Sequence, residues 1–302
     1  MTLARRPRIT LLAAGALAAT LALPNVAPAQ RPAGTLFIVG GGTQPQALVD
    51  HFVALAGGRG KARIAVLPMA SAEGAASGAE KVEDLKKLGA EAFLINVTRA
   101  EADADSIVRQ LDRATGIWFG GGDQARLTAA LQGSAALRSI HARYRAGAVV
   151  GGTSAGAAVM SDSMLTGNQY GADGALDTNG TGYPRVARHM MQIVPGLGFL
   201  HGAVVDQHFL RRQRANRLLA VVLERPSLVG VGIDEGTALV VAPDGRWTIE
   251  GASAALVLDA RHATVTASGA PRLGATGVQM HLLPAGSSYD PATGHVRLPA
   301  AP

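Results

Sequence analysis

The sequence predicts an α/β protein: a three-layer αβα sandwich with a largely parallel sheet, followed by a C-terminal region of mixed or antiparallel strands. From Thr35 onward, short runs that are apolar at almost every position alternate with helical stretches. Such strands, separated by helices, are typical of a parallel sheet covered on both faces. After Val229 the apolar runs follow one another directly, which predicts the second, strand-rich region.

Five buried strands are predicted in the first half of the chain, at 35–42, 62–70, 91–97, 116–124 and 146–156. A helix is predicted over 80–90, with Gly89 at its C-terminal cap. Three of the strands end in glycines, at 40–42, 120–122 and 151–152. Glycine lets a backbone approach a ligand closely, and parallel sheets bind ligands beyond the carboxyl ends of their strands. We therefore expect the functional site at that edge.

The remaining segments complete a single predicted domain over residues 30–302. Residues 161–183 are polar and glycine-rich without a sustained period, which predicts an excursion near the site that includes a short hairpin. The α/β pattern resumes after Val204. No linker or internal repeat divides the chain, and the Pro/Ala/Gly-rich tail after about residue 286 is expected to be loose.

Residues 1–29 have the layout of an export signal peptide. Three arginines precede an apolar run from Ile9 to Leu23, and Ala27-Pro28-Ala29 offers a small-x-small cleavage site. The run is too short for a stable membrane span, although a basic tail with a lipid-associating helix is the alternative. We expect a secreted or periplasmic protein, with the general (Sec) and twin-arginine routes both open because Arg5 and Arg6 are adjacent.

Composition excludes several classes of protein. Removal of residues 1–29, with three arginines and no acid, lowers the formal net charge from +6 to +3. No dense basic stripe with interleaved aromatics is present, so nucleic acid is not an expected partner. Cysteine is absent, so an exported protein of this length depends on its hydrophobic core rather than on disulfides. There is no histidine-rich zinc signature and no phosphate-cradling lysine loop, so we expect neither metal nor cofactor.

The stretch from Gly152 to Gly156 reads Gly-Thr-Ser-Ala-Gly and matches G-x-S-x-G. In its strand–turn–helix context this motif presents a nucleophilic serine, here Ser154, on a strained turn. The turn would aim the Ala155 N–H at a developing oxyanion, and Gly121 or Gly122 could supply a second donor. The alternative is a tight packing turn without chemistry.

A serine nucleophile needs a general base and an orienting acid. Of the eight histidines, His208 alone follows an apolar run at a predicted strand end, from which it could reach a serine on a neighbouring strand. Asp234 and Glu235 end another apolar run, and either could orient the imidazole. The chain order is Ser, His, acid, which argues against the α/β-hydrolase fold with its order Ser, acid, His.

Four arginines follow His208 at the start of a predicted helix, where cations oppose the helix dipole. Their position suggests carboxylate binding in the cleft, since arginine binds carboxylates in a bidentate manner. A solvated face paired with local acids is the alternative. The four are Arg211, Arg212, Arg214 and Arg217.

Four ordered motifs between about residues 34 and 241 carry a resemblance to a known family. They are "FGGGDQ" (119–124), "GTSAGA" (152–157), "DQHF" (206–209) with the arginines after it, and "GIDEGTALVV" (232–241). Together they resemble the cyanophycinase family of serine peptidases, whose relatives include aspartyl dipeptidase and whose fold is similar to class I glutamine amidotransferases.

The resemblance implies Ser154 as nucleophile, His208 as base and Glu235 as its partner. It also implies cleavage of aspartyl bonds in cyanophycin, a poly-aspartate that bears arginine on its side chains, to β-Asp-Arg dipeptides. Members of the family tend to dimerise, so a homodimer is expected from the resemblance alone. The implied substrate-binding residues are Gln124, Asp206, Gln207, Arg212, Arg214 and Arg217.

Two other functions stay open from the sequence. The same three residues would serve an aspartyl dipeptidase-like enzyme that acts on short Asp-containing peptides, although the arginine run is not expected there. A catalytically silent, exported binding protein on a hydrolase fold is the third alternative.

Overall fold

The computed structural model of the protein describes residues 32–171, 173–178, 185–270 and 272–300. The predicted signal peptide therefore lies outside the described residues. All of the described residues belong to one compact unit, which spans Arg31–Pro302.

Helices within the described ranges follow the strands of the first half, and one more lies after residue 214. They are α1 (Gln46–Leu55), α2 (Gly74–Lys87), α3 (Asp105–Leu111), α4 (Gln124–Leu131), α5 (Ala135–Arg145), α6 (Ala155–Ala158) and α7 (Ala215–Glu224), with a 3₁₀ turn at Glu101–Asp103.

The described strands alternate with these helices at first and then follow one another. The earlier ones are β1 (Leu36–Val39), β2 (Arg63–Leu67), β3 (Glu91–Leu94), β4 (Gly116–Phe119), β5 (Val149–Thr153), β6 (Ser163–Tyr170), β7 (Leu176–Asp177), β8 (Met191–Pro195) and β9 (Ala203–Gln207). The later ones are β10 (Val229–Ile233), β11 (Thr237–Val241), β12 (Trp247–Gly251), β13 (Ala254–Asp259), β14 (Thr264–Val265), β15 (Ala275–Thr276), β16 (Gln279–Pro284), β17 (Ser288–Asp290) and β18 (His295–Arg297).

The largest sheet among the described residues has the order β18-β17-β12-β11-β1-β5-β4-β2-β3. Five strands of this sheet, in the spatial order β1-β5-β4-β2-β3, are parallel to one another. Strands β11, β12, β17 and β18 extend the sheet beyond β1 with antiparallel pairing. This arrangement confirms the predicted α/β class, with antiparallel strands from the C-terminal region added to one side of the parallel core.

Strand β1 shows why the apolar runs lack alternation. Leu36 and Ile38 pack on one face of the sheet with α3 to α6, while Phe37 and Val39 pack on the other face with α1 and α2. A strand that is covered on both faces gains apolar burial at every position, at about 25 cal/mol per Å².

A second sheet, with the order β16-β13-β10-β9, packs against the first. Its inner residues, such as Val205 and Val231, join the main core, and its outer face is covered by α7. The strand before His208 is therefore not a neighbour of the strand before Ser154, which differs from the sequence expectation. Strand partners are chosen by long-range contacts that local patterns do not encode.

The polar excursion after Ser161 contains the predicted hairpin, in which β6 pairs with β7, and β6 also pairs with β8. The segment after residue 286 is not loose, in contrast to the prediction. Strands β17 and β18 extend the main sheet, and Tyr289 is fully buried with its ring 5.4 Å from that of Trp247. This one large aromatic anchors a segment whose composition otherwise resembles a loop.

A search of the described residues for an apolar helix long enough to cross a membrane finds none.

Candidate active site

The site lies at the carboxyl edge of the parallel strands, where the ends of β1, β5 and β4 meet. Strand β5 pairs with β1 on one side and β4 on the other, so that Thr153 faces Val39 and Gly152 faces Phe119. Ser154 is the first residue beyond β5 and comes directly before α6. The glycine-terminated strands therefore meet at the edge that the sequence predicted.

Ser154 occupies a strained backbone position, with φ 54° and ψ −111°. Such a conformation costs about 1–3 kcal/mol in a non-glycine residue and persists only where its surroundings hold it. The glycines on either side of the serine are required because a side chain there would collide with neighbouring backbone. A Cβ at Gly152 would lie 2.5 Å from the carbonyl oxygen of Gly156, and a Cβ at Gly156 would lie 2.3 Å from that of Phe119. The motif therefore has the geometry of a nucleophile elbow.

The three side chains that the sequence selected are hydrogen-bonded in a line. Ser154 Oγ lies 2.9 Å from His208 Nε2, and His208 Nδ1 lies 2.6 Å from Glu235 Oε1. Because a carboxylate can only accept, Nδ1 carries the ring proton and Nε2 is left to accept the serine hydroxyl. This is the arrangement in which a serine can transfer its proton to an imidazole.

The structure resolves the choice between the two adjacent acids. Glu235 contacts His208, whereas Asp234 accepts the Arg211 N–H at 2.9 Å and the Ser253 hydroxyl at 2.9 Å. Asp234 therefore fixes the loop after His208 to the end of β10. Sequence reasoning did not identify this role, and adjacent carboxylates at a strand end carry no local signal that assigns one role to each.

The end of β1 holds all three elements of the site through successive carbonyl groups. Val39 O accepts from Ser154 N at 3.0 Å, and Gly40 O accepts from His208 N at 2.6 Å. Gly41 O then accepts from Gly236 N, next to Glu235, at 2.9 Å. Since β5 belongs to the first sheet and β9 and β10 to the second, this segment joins the two sheets at the site.

Glycine is required in that segment because the turn passes directly against the reactive groups. A Cβ at Gly40 would lie 2.2 Å from Asp234 O, and one at Gly41 would lie 2.3 Å from His208 Cε1. A Cβ at Gly42 would lie 2.8 Å from that of Glu235. The sequence assigned these glycines to ligand approach, but the groups that approach them are the base and its partner.

The surroundings of His208 keep its imidazole neutral. Burial is the main cause that lowers the pKa of His208 below its usual value, and the hydrogen bond that its Nδ1 donates to Glu235 opposes it. The charges of Arg212 and Arg214 lower that pKa further, because they disfavour a third cation nearby. A neutral imidazole is the form that can accept a proton from serine.

Backbone donors are available where an oxyanion would form. The Ala155 N–H is the first of α6 and has no acceptor within that helix. In the turn after β4, Gly120 N donates to Leu67 O and Asp123 N donates to Ala70 O. Gly121 and Gly122 lie between these two hydrogen-bonded residues. A Cβ at Gly121 would lie 3.5 Å from the Cβ of Ser154, so this turn is next to the serine.

Of the residues expected to bind substrate, Asp206 and Arg217 are instead buried against each other. Each is 1% exposed, and Arg217 binds both carboxylate oxygens of Asp206, with Nε 2.6 Å from Oδ2. The structure thus gives this pair a supporting role, which differs from the predicted substrate contact. Charged side chains are seldom so buried unless paired, and the two are separated by eleven positions, so residue type alone did not indicate the pairing.

Arg214 and Gln207 form a second buried contact beside that pair. Arg214 Nη1 donates to the Gln207 carbonyl at 2.7 Å and to its side-chain oxygen at 2.8 Å. Arg212, by contrast, is exposed. The arginine run therefore divides into two buried residues, Arg214 and Arg217, and two exposed ones, Arg211 and Arg212, of which Arg212 lines a cavity.

Gln124, also predicted to bind substrate, is 5% exposed and ties α4 to β6. Its Nε2 donates to Leu165 O at 2.8 Å and to Thr166 O at 2.7 Å. Beside it lies a cavity of about 380 Å³. Its walls include Gly122, Gln124, Thr166, Asn168, Gln192 and Arg212. The cavity therefore presents amides, hydroxyls and a guanidinium near the oxyanion turn.

In the described part of the chain, no group of three or more His, Asp or Glu side chains is arranged to hold a metal ion.

The family described as Peptidase family S51 matches residues 36–248. A cyanophycinase of Trichormus variabilis is 32% identical over 241 residues, covering 77% of this chain and 76% of the relative. A cyanophycinase of Geminocystis herdmanii is 30% identical over 253 residues, covering 82% and 88% respectively. A solved peptidase from an acI-B1 Actinobacterium superposes with a TM-score of 0.64 at 23% identity, covering 86% of this chain and 98% of that one, which confirms the fold.

We predict that Arg217→Met destabilises the protein by about 3–5 kcal/mol, because the buried Asp206 carboxylate loses its bidentate partner and keeps the longer contact with Arg214 Nη1, at 3.8 Å. Denaturant unfolding measures the effect. The double variant Asp206→Leu/Arg217→Met should recover most of the loss, since it removes both charges. Equal stability of Arg217→Met and the unaltered protein would contradict the supporting role.

We predict that the acid limb of the kcat/KM profile lies below the usual histidine pKa, because activity requires neutral His208. The Arg212→Gln variant loses a cation that lowers the pKa of His208. That pKa should therefore rise, and the acid limb should move to higher pH. Arg246→Gln, at the far end of β11 from the site, is the matched control and should leave the limb in place. A limb that moves to lower pH in Arg212→Gln would be inconsistent with the electrostatics described.

Proposed function

The chain belongs to peptidase family S51, a family of serine-type peptidases, and from that premise we propose that it cleaves the aspartyl peptide bonds of cyanophycin to β-Asp-Arg dipeptides. The observation that carries the proposal is the continuous hydrogen-bonded line from Ser154 through His208 to Glu235, at 2.9 and 2.6 Å. It sits at a strained elbow beside free backbone donors, which is what acyl transfer by a serine requires.

In the first half of the reaction, Ser154 Oγ attacks the scissile carbonyl carbon while His208 Nε2 takes the hydroxyl proton. Glu235 holds the ring through Nδ1 and stabilises the imidazolium that forms. The carbon–nitrogen bond then breaks, and His208 returns the proton to the leaving amine. The product of this half is an acyl-enzyme on Ser154.

In the second half, water replaces the departed amine. His208 removes a proton from the water as its oxygen attacks the acyl carbon, and the bond to Ser154 Oγ breaks as the proton returns to serine. Both tetrahedral intermediates carry an oxyanion, for which Ala155 N–H and a donor of the 121–122 turn are the proposed partners. Loss of one such donor typically costs about 10²–10³ in kcat.

The cavity beside the elbow supports an arginyl polymer as the substrate. Each arginine branch of cyanophycin ends in a free carboxylate, and Arg212 is the exposed guanidinium of that cavity. A bidentate pair between them would fix one branch relative to Ser154. The amides of Asn168 and Gln192 supply neutral donors and acceptors along the same wall. The relatives described above that are named cyanophycinases agree in substrate class.

We further propose that the protein works outside the cytoplasm. The support is the basic, apolar and small-x-small pattern of residues 1–29. A polymer granule cannot enter a cell, so an exported enzyme would degrade material that other cells release.

We predict that Ser154→Ala folds normally but loses about four to six orders of magnitude in kcat on cyanophycin, because the nucleophile is absent. Mass spectrometry of the products of the unaltered protein should find β-Asp-Arg dipeptides. Faster cleavage of Asp-X dipeptides than of the polymer would favour the dipeptidase function. Failure of a fluorophosphonate probe to label Ser154, together with no turnover, would favour a silent binding protein.

We predict that the exported protein begins at Gln30, because cleavage follows Ala29. N-terminal sequencing of protein recovered from the periplasm or medium of an expressing bacterium tests this. A Arg5→Lys/Arg6→Lys variant that remains inside the cell would assign the twin-arginine route. Retention of the complete chain in the cytoplasm would refute export.

A further inference from the structure

A groove of about 700 Å³ lies between α1 and α2 on the face of the main sheet opposite the second sheet. The turn from Gly42 to Gln44 lines one end, and Val49 of α1 forms part of one wall. The other wall is α2, from Ser77 to Leu88. None of the residues discussed for the triad or for the Arg212 cavity, other than the glycine turn, contributes to it.

The strand order brings one end of this groove to the active site. Helix α1 follows β1 and α2 follows β2, but β5 and β4 lie between those two strands in the sheet. Because each helix follows a parallel strand, both begin at the carboxyl edge of the sheet, and the Gly42 end of the groove lies at the edge where β5 ends. Gly42, at this end, packs against Glu235. A substrate chain that passes from the elbow over Glu235 would reach the groove across the Gly42 turn.

Lys81 is the residue that gives the groove its electrostatic character. It is half-buried, with Nζ 4.6 Å from the centroid of the buried Trp118 ring and 3.1 Å from Gln44 Oε1. Burial lowers the pKa of Lys81 to about 8, and the charge of Asp84 only partly opposes it. Its ammonium is thus incompletely compensated, and an anionic group brought beside it would be stabilised.

The α2 wall carries both signs of charge in alternation. Glu80, Lys81, Asp84 and Lys87 all line the groove, and Lys87 pairs with Asp84 at 2.9 Å. These residues lie on one face because they recur at helical spacing. A ligand with a carboxylate and a guanidinium in each repeating unit matches such a wall, whereas a ligand of one sign would meet repulsion along half of it.

We propose that this groove is an extended subsite that holds successive units of the arginyl poly-aspartate beyond those at the scissile bond. The proposal rests on the proposed function. From Ser77 to Leu88 the helix rises about 16 Å, at about 1.5 Å per residue. An extended backbone covers that distance in about five residues, at about 3.3 Å each. The groove therefore accommodates about five units, with branch carboxylates at Lys81 and Lys87 and guanidinium groups at Glu80 and Asp84.

The test compares oligomers of two to ten β-Asp-Arg units as substrates for two double variants of the same helix. Glu80→Gln/Lys81→Met removes one charge of each sign from the groove while keeping an apolar stem over Trp118. Glu83→Gln/Lys86→Met makes the same chemical changes in an exposed pair, 2.9 Å apart, that does not line the groove. Thermal unfolding establishes that both variants fold.

For the unaltered protein, kcat/KM should rise with oligomer length and level off once the groove is filled. The groove variant should lose about fivefold to tenfold on the long oligomers, as expected for one or two ion pairs, and less than about twofold on the shortest cleaved one. The control variant should match the unaltered protein at every length.

Two failures are distinguishable. If the unaltered protein cleaves the polymer but the groove variant loses nothing, or loses equally at all lengths, the subsite proposal is overturned and the proposed function stands. If the unaltered protein cleaves neither polymer nor oligomers while cleaving other aspartyl peptides, the proposed function fails and the subsite fails with it.

Discussion

Three successive carbonyl oxygens at the end of β1 fix the geometry on which this protein depends. The oxygens of Val39 and Gly40 accept from the N–H groups of the serine and the histidine, and that of Gly41 accepts from the N–H of the residue after the glutamate. The nucleophile follows a strand of the first sheet, and the base and acid follow strands of the second, so this segment joins groups from both sheets. It can do so only without side chains, because a Cβ at Gly41 would occupy the imidazole of His208. Positive φ at both Ser154 and His208 is the strain that these hydrogen bonds offset.

The arginine run shows how similar residues divide between support and exposure. Arg217 of α7 and Asp206 of β9 are buried against each other, and Arg214 binds the carbonyl and side chain of Gln207. These contacts order the turn that follows His208, where Phe209 N and Arg214 N also bond to neighbouring backbone. Arg212 remains exposed, close enough to lower the pKa of His208 yet open to a ligand. One short segment thereby tunes the base and lines the adjacent cavity.

The sequence predicted what is local and missed what depends on distant partners. The five parallel strands and the elbow at Ser154 follow from apolar runs and small residues, and the structure has them. The assignment of β9 and β10 to a second sheet depends on pairing between segments far apart in the chain, as does the burial of Asp206 against Arg217. The tail was predicted loose from its composition, but β17 and β18 pair with the main sheet and Tyr289 is fully buried. The residue pattern alone could not assign the histidine-orienting role to Asp234 or to Glu235, because adjacent acidic residues differ in the direction of their side chains and not in their chemistry. The family resemblance was what implied Glu235.

The elements that hold the triad differ largely from those that wall the two proposed substrate cavities, although the segment after His208 and the glycine turns contribute to both. The line from serine to glutamate is fixed by backbone hydrogen bonds to β1, whereas the Arg212 cavity is walled by the β6–β8 sheet and the second groove by α2. Gln124 joins the first wall to α4 through two carbonyls of β6 and makes no bond to the triad. Changes in those walls can therefore alter which polymer or peptide fits while the distances of 2.9 and 2.6 Å at the reacting centre persist. In general, a fold can keep one reacting centre while the walls around it vary between related proteins.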